Sequence, residues 1–272
     1  MPTLNLISGL LGGMGKSLFS RVMIHIHEKE GIPFIAFDAD PQTYNVHKYY
    51  RYCVEPMEIS ESKEKGTDNV FKAMETGKTI LINLAASSGQ AVQDWFQRDD
   101  FFTLIEELAE ESAKTRYRLI NWFLSDASEI SIEQFLQTVD QFEANKDQVI
   151  HVLVKNLGKS THEDWARAMS DELLQAALTL PNVHQMVFPR FLKPENFDGM
   201  KFTFAQAMTK EGVGSFKLNL LDRRRVTKFL TDTQSNSEAL GLLDPPQKTE
   251  MKPDSKPKKA EQSNSERETP SA

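Results

Sequence analysis

The residues best suited to chemistry stand together near the start of the chain, Gly12-Gly13-Met14-Gly15-Lys16-Ser17. Three glycines ahead of a lysine and a hydroxyl describe a phosphate cradle. Glycine lets backbone N–H groups converge on phosphate oxygens in conformations that a side chain forbids. A short apolar run, Leu4 to Ile7, precedes the loop, and a helix-like segment from Leu18 to Glu30 follows it. That order brings unpaired N–H groups of the helix start, through Leu18, and a positive dipole end to the same anion. Lys16 is placed to reach β/γ-phosphates, and the Ser17 hydroxyl to hold Mg²⁺. An ordinary strand–helix turn is the plainer account of the same glycines.

A second group follows one helix and one strand later. Gly31-Ile32-Pro33 reads as a turn, Phe34 to Phe37 as a strand, and Asp38-Ala39-Asp40-Pro41-Gln42 as its exit. Two carboxylates at i and i+2 leaving the C-terminal end of a strand lie where open α/β sheets bind ligands. One such carboxylate holds a Mg²⁺-bound water while the other positions a water that attacks the γ-phosphate. The alternative is a solvated Asp-Pro turn that merely closes a strand.

With three glycines crowded before Lys16, and Leu10 where the common P-loop pattern wants glycine, the loop resembles the deviant Walker A loop of the ParA/MinD family. That family reads K-G-G-x-G-K-[ST], and its first lysine reaches across a dimer to the partner's nucleotide; here position 11 is Leu11. The string Asp38 to Gln42 is similar to the family's second motif. The resemblance implies ATP and Mg²⁺ as ligands, Asp40 as the water-positioning residue and Asp38 near the metal. Where the family's Walker B aspartate would end the strand Thr79 to Leu84, this chain has Asn83, which offers a neutral acceptor in place of a carboxylate. The 85–90 segment resembles the small-residue switch that follows. Asn156, at the exit of the apolar run Val149 to Val154, matches the asparagine that contacts adenine, although Asn-Leu-Gly is equally an ordinary strand exit. The resemblance spans roughly residues 1–190 and is specific at 9–17 and 38–42. It implies a SIMIBI-like P-loop NTPase, with a looser likeness to members serving plasmid partition or mobilisation.

The elements that must position these groups alternate along the chain. Strands are expected near 4–8, 33–37, 79–84, 118–124, 149–154 and 183–188. Helices are expected over 17–30, 66–76, 91–113, 128–145 and 161–178, with a closing helix from Leu220 to Leu243. Such alternation indicates βαβ units: an α/β fold with a mainly parallel sheet and helices on both faces. The aromatic-rich 90–112 stretch (Trp95, Phe96, Phe101, Phe102) is expected to pack in the core. From Asp244 onward the chain has no aromatic residue and five prolines, so the sequence predicts a folded domain over 1–243 and a disordered tail over 244–272.

Composition narrows the classes. A hydrophobic share of 39% with 26% charged residues is that of a soluble globular protein. No run approaches the ~20 apolar residues of a membrane span, and Leu242-Leu243 meets Asp244-Pro245-Pro246 at once, leaving no amphipathic membrane helix. The single cysteine, Cys53, admits no internal disulfide and suits a cytoplasmic protein. His25 and His27, two apart on a helix, read as packing or solvent residues and not as ligands. The charge of the 244–272 stretch is balanced, so the body carries the net −7; DNA contact has only Arg223-Arg224-Arg225 and Lys228 to draw on. Three functions fit: a nucleotide-dependent switch ATPase with weak hydrolysis, a nucleotide-dependent homodimer being one form it takes; a non-hydrolysing scaffold on the same fold, with Leu11 and Met14 offered to a protein partner; and a small-molecule kinase, for which no acceptor site is evident.

Overall fold

The computed structural model describes residues 1–9, 11–59, 64–86, 88–112, 115–193, 197, 202–212 and 217–244. Leu10 of the glycine loop, Ser87 of the switch segment and positions 245–272 of the expected tail lie outside the described residues. Seven strands form one sheet: β1 (Thr3–Ser8), β2 (Phe34–Ala39), β3 (Val54–Pro56), β4 (Thr79–Leu84), β5 (Arg118–Ser125), β6 (Val149–Asn156) and β7 (Val183–Phe188). Every pairing is parallel, in the order β3-β2-β4-β1-β5-β6-β7. Parallel strands covered on both faces read as unbroken apolar runs, which is why Thr79-Ile-Leu-Ile-Asn-Leu is buried at every position.

Alternate residues of each strand enter different cores. Ile7, Leu81, Ile120, Trp122 and Val152 pack with α1 (Lys16–Glu30), α8 (Phe204–Met208) and α9 (Leu220–Glu238). Leu4, Leu6, Ile80 and Ile82 face α2 (Glu64–Met74), α3 (Gly89–Arg98) and α4 (Phe101–Glu111). Phe123, Leu153 and Val183 extend the second face against α5 (Glu129–Gln141), α6 (His162–Ala168) and α7 (Glu172–Ala177). The fold is therefore α/β, with helices on both faces of a parallel sheet.

Local chemistry explains where the elements differ from expectation. The edge strand β3 has three residues and ends in Pro56, too short and too proline-marked to register as a strand. The expected 91–113 helix is two helices, because Asp100 adopts φ 44 and turns the chain between them. That turn lets Phe96 and Phe101 stack at 4.1 Å, with Trp95 5.8 Å from Phe101, so the aromatic density serves the core. The expected 161–178 helix is likewise divided, with the Asp171 carboxylate accepting from Leu174 N–H as a new N-cap. Asp244, the first residue of the expected tail, is tied to the sheet: its Oδ2 accepts from Thr3 N–H at 3.2 Å, the Thr3 hydroxyl at 3.0 Å and the Thr79 hydroxyl.

The sheet order carries the motif residues to one edge. Parallel register sets Asn83 level with Ile7 on β1 and with Asp38 on β2. The glycine loop, the Asp38–Asp40 exit and Asn83 thus meet at the C-terminal ends of three adjacent strands. Among the described residues no helix is long and apolar enough to cross a membrane. Both helical histidines, His25 and His27, are buried packing residues, not solvent ones.

Candidate functional site

The glycine loop ends in a helix start without a side-chain cap. Gly15 is the N-cap of α1 at φ 93, and Gly13 stands at φ 77, left-handed conformations that disfavour any side chain. Gly15 has a second reason to be glycine: a Cβ there would lie 2.9 Å from Asn156 Nδ2. Gly12 departs from the expectation for the loop glycines. It is not at positive φ, and a Cβ would meet nothing within 4 Å, so its backbone simply faces open space. Met14 is a core residue at 3% exposure and offers no surface to a partner, whereas Leu11 is 42% exposed.

Lys16 folds back over its own loop. Its ammonium donates to the Gly9 carbonyl at 3.0 Å and the Leu11 carbonyl at 3.1 Å, and the side chain is buried. Burial lowers its pKa, and the nearby Asp40 carboxylate partly restores it. A desolvated cation held by two carbonyls is poised to exchange them for an anion. Asp40 stands half-buried, accepting from Gln42 N–H at 3.3 Å and from the Thr43 hydroxyl at 2.9 Å, which fixes the turn after β2.

Asp38 does not fit the metal role expected of it. It is fully buried, and one oxygen accepts from Val46 N–H at 2.8 Å and His47 N–H at 2.9 Å. The other accepts from Asn83 Nδ2 at 2.8 Å and Asp40 N–H at 3.4 Å, so the carboxylate is saturated by protein donors. Asn83 is similarly engaged, its carbonyl oxygen accepting from the Ser20 hydroxyl at 3.0 Å. An amide is what this position needs, since its Nδ2 must donate to a buried carboxylate. Asn156 does not present itself to a base either. Its amide donates to the Met14 carbonyl at 2.7 Å and its oxygen accepts from Gly158 N–H at 2.9 Å, making it a clamp on the glycine loop.

The loop borders an open cleft of about 740 Å³, within the size range of small-molecule sites. The 12–18 segment, including Ser17 and Leu18, forms one wall, with Ala85 and Ala86 beside it. Among the other lining residues are Asp40, Arg21, Lys48, Tyr49, Phe191 and Phe197. The last five were missed by sequence reasoning. They belong to no local motif and converge only in the fold; the one available signal was Arg21, one helical turn after Ser17. Arg21 is held by aromatic faces, 3.9 Å from the Tyr49 centroid and 5.1 Å from that of Phe204. On α9 Arg225 pairs with Asp222, Lys228 with Asp232, and Arg223 donates to the Leu218 carbonyl.

The donor set suits a divalent ion that arrives with its ligand. Ser17 lines the cleft and Asp40 faces it, while no group of three His, Cys, Asp or Glu among the described residues forms a protein-only cage. Mg²⁺ characteristically keeps waters and binds through one or two protein groups plus substrate phosphates.

No family model and no curated protein matches the chain. Solved structures align with the chain at low identity. McdA from Cyanothece in its ATP complex is 15% identical with a TM-score of 0.48, over 90% of this chain and 98% of that one. The apo form of the same protein gives 15% and 0.48 over 89% and 100%. The signal recognition particle receptor FtsY from Elizabethkingia anophelis gives 13% and 0.44 over 85% of this chain and 66% of its own length. The architecture is an all-parallel α/β sheet in which a glycine loop joins the central strand to the first helix.

Proposed function

We propose that the cleft binds ATP with Mg²⁺ and that the chain works as a nucleotide-dependent switch whose hydrolysis is slow. The observation that carries this reading is Lys16, a buried ammonium resting on the Gly9 and Leu11 carbonyls beside an uncapped helix start that faces an open cleft. On binding, Lys16 exchanges those carbonyls for phosphate oxygens, and the N–H groups of the 13–18 segment point at the same charge. Ser17 and Asp40 are the residues placed to hold Mg²⁺, which when bound neutralises phosphate charge. Asp40 is also the carboxylate placed to orient an attacking water. The likeness of the 9–17 and 38–42 motifs to the ParA/MinD family supports a switch that positions a larger cargo, plasmid partition or mobilisation among the candidates.

A second reading, a nucleotide-gated scaffold without turnover, is favoured by Asn83, whose amide is locked between Ser20 and Asp38. Titration with Mg-ATP and a turnover assay on the purified chain separate the two. Lys16→Ala should weaken ATP on the order of 100-fold, as expected for loss of a charge-assisted phosphate contact. Asp40→Asn should abolish any turnover while weakening Mg-ATP less than Lys16→Ala does. Binding without turnover in the unsubstituted chain selects the scaffold; full ATP affinity in Lys16→Ala overturns both.

A further inference from the structure

The cleft is strongly cationic for so acidic a protein. Among the described residues lining it stand Lys16, Arg21, Lys48 and Lys193 against the single carboxylate of Asp40, in a chain of net charge −7. Lys16 already has Asp40 near it, and the Arg21 guanidinium stands 3.9 Å from the Tyr49 ring centroid. The Lys48 ammonium is looser, 5.6 Å from the same ring. Lys48 rides on a tight helical turn, with its own N–H donating to the Tyr44 carbonyl at 2.9 Å and Tyr50 N–H to the Val46 carbonyl at 3.1 Å. That turn is pinned from beneath by the buried Asp38, which accepts from the amides of Val46 and His47. Leu11, meanwhile, leaves the glycine loop without a lysine ahead of Gly12.

We propose that Lys48 is a phosphate-binding cation of this cleft, so that a single chain closes on the nucleotide's phosphates from both sides and needs no lysine from a second copy. The proposal rests on the nucleotide reading above and assigns Asp38 its purpose: the buried carboxylate fixes the turn that carries Lys48 and Tyr49 into the cleft wall. Attraction between an ammonium and a polyphosphate grows with the number of phosphates, whereas a packing role does not discriminate among them.

Calorimetric titration of the full chain with ATP, ADP and AMP tests this, with sedimentation velocity at the same concentrations. Lys48→Ala should raise the ATP Kd about tenfold, the loss of one charged hydrogen bond. The ADP Kd should rise less, AMP should be unaffected, and Lys48→Arg should stay near the unsubstituted chain. The unsubstituted chain should bind ATP while monomeric. Three results overturn the proposal: equal affinities for all three nucleotides in Lys48→Ala and the parent, an equal loss for AMP and ATP, or ATP binding that follows dimer formation. Failure of the unsubstituted chain to bind any nucleotide is a separate result; it removes the reading of the cleft itself, and this proposal with it.

Discussion

Asn83 shows how a single residue type follows from its neighbours. Its amide donates to Asp38 at 2.8 Å, and Asp38 is fully buried. Restoring a carboxylate there places two buried acids against each other. Buried like charges force one to hold a proton or the fold to yield. Asn83→Asp should therefore lower stability by about 3 kcal/mol, the scale of a broken buried charge arrangement, and should leave ATP turnover no faster. Urea unfolding with a parallel phosphate-release assay measures both. A faster enzyme of unchanged stability would show that position 83 faces the nucleotide after all. The sequence displayed the asparagine but not its reason, because Asp38 and Asn83 lie 45 residues apart and meet only through strand pairing.

At the scale of elements, the glycine loop is built jointly with β6. Asn156 grips the Met14 carbonyl, and the space it occupies excludes a Cβ at Gly15. Gly15→Ala combines a left-handed backbone with that collision and should cost about 1–3 kcal/mol. Asn156→Ala removes a buried hydrogen bond, again about 1–3 kcal/mol. The double variant should lose about 1 kcal/mol less than the sum, because removing the amide makes room for the methyl. Thermal unfolding of the four proteins measures the coupling; strict additivity would mean the two residues act independently. The loop was legible from Gly12 to Ser17 because its chemistry is local, and the six long strands because most of them are apolar runs. What holds the loop was not, since Asn156 and Met14 are 142 residues apart. The break at Asp100 escaped notice because backbone conformation, not side-chain pattern, makes it. Asp171 was a readable signal, an aspartate one residue before a helix, hidden by the continuous hydrophobic periodicity around it.

For the molecule as a whole, the buried sheet sets its response to acid. His151 on β6 is fully enclosed, and its Nε2 has no partner among the described residues. Burial lowers its pKa to about 4 from 6.5. The unfolded chain takes up a proton near pH 6.5 while the folded one refuses it until about 4, so stability is complete above 6.5 and is lost as pH falls toward 4. His25 and His27 are shifted downward by burial as well and add to the same trend. Between pH 7 and pH 5 His151 alone should account for about 2 kcal/mol. Chemical denaturation at the two pH values should show His151→Gln with the shallower dependence; an unchanged slope would place the acid sensitivity elsewhere. The strand order reaches further still, into the time at which the chain is made. The apolar β1 becomes the middle of the sheet, yet its nearer partner in sequence, β4, begins at Thr79. At ribosomal rates of about 5–20 residues per second, β1 waits roughly 4 to 14 s for that neighbour. The strand that ends at the centre of the sheet is thus among the longest alone during synthesis, and a slowed ribosome before residue 79 would lengthen the interval in which Leu4, Leu6 and Ile7 have only solvent or a chaperone to meet.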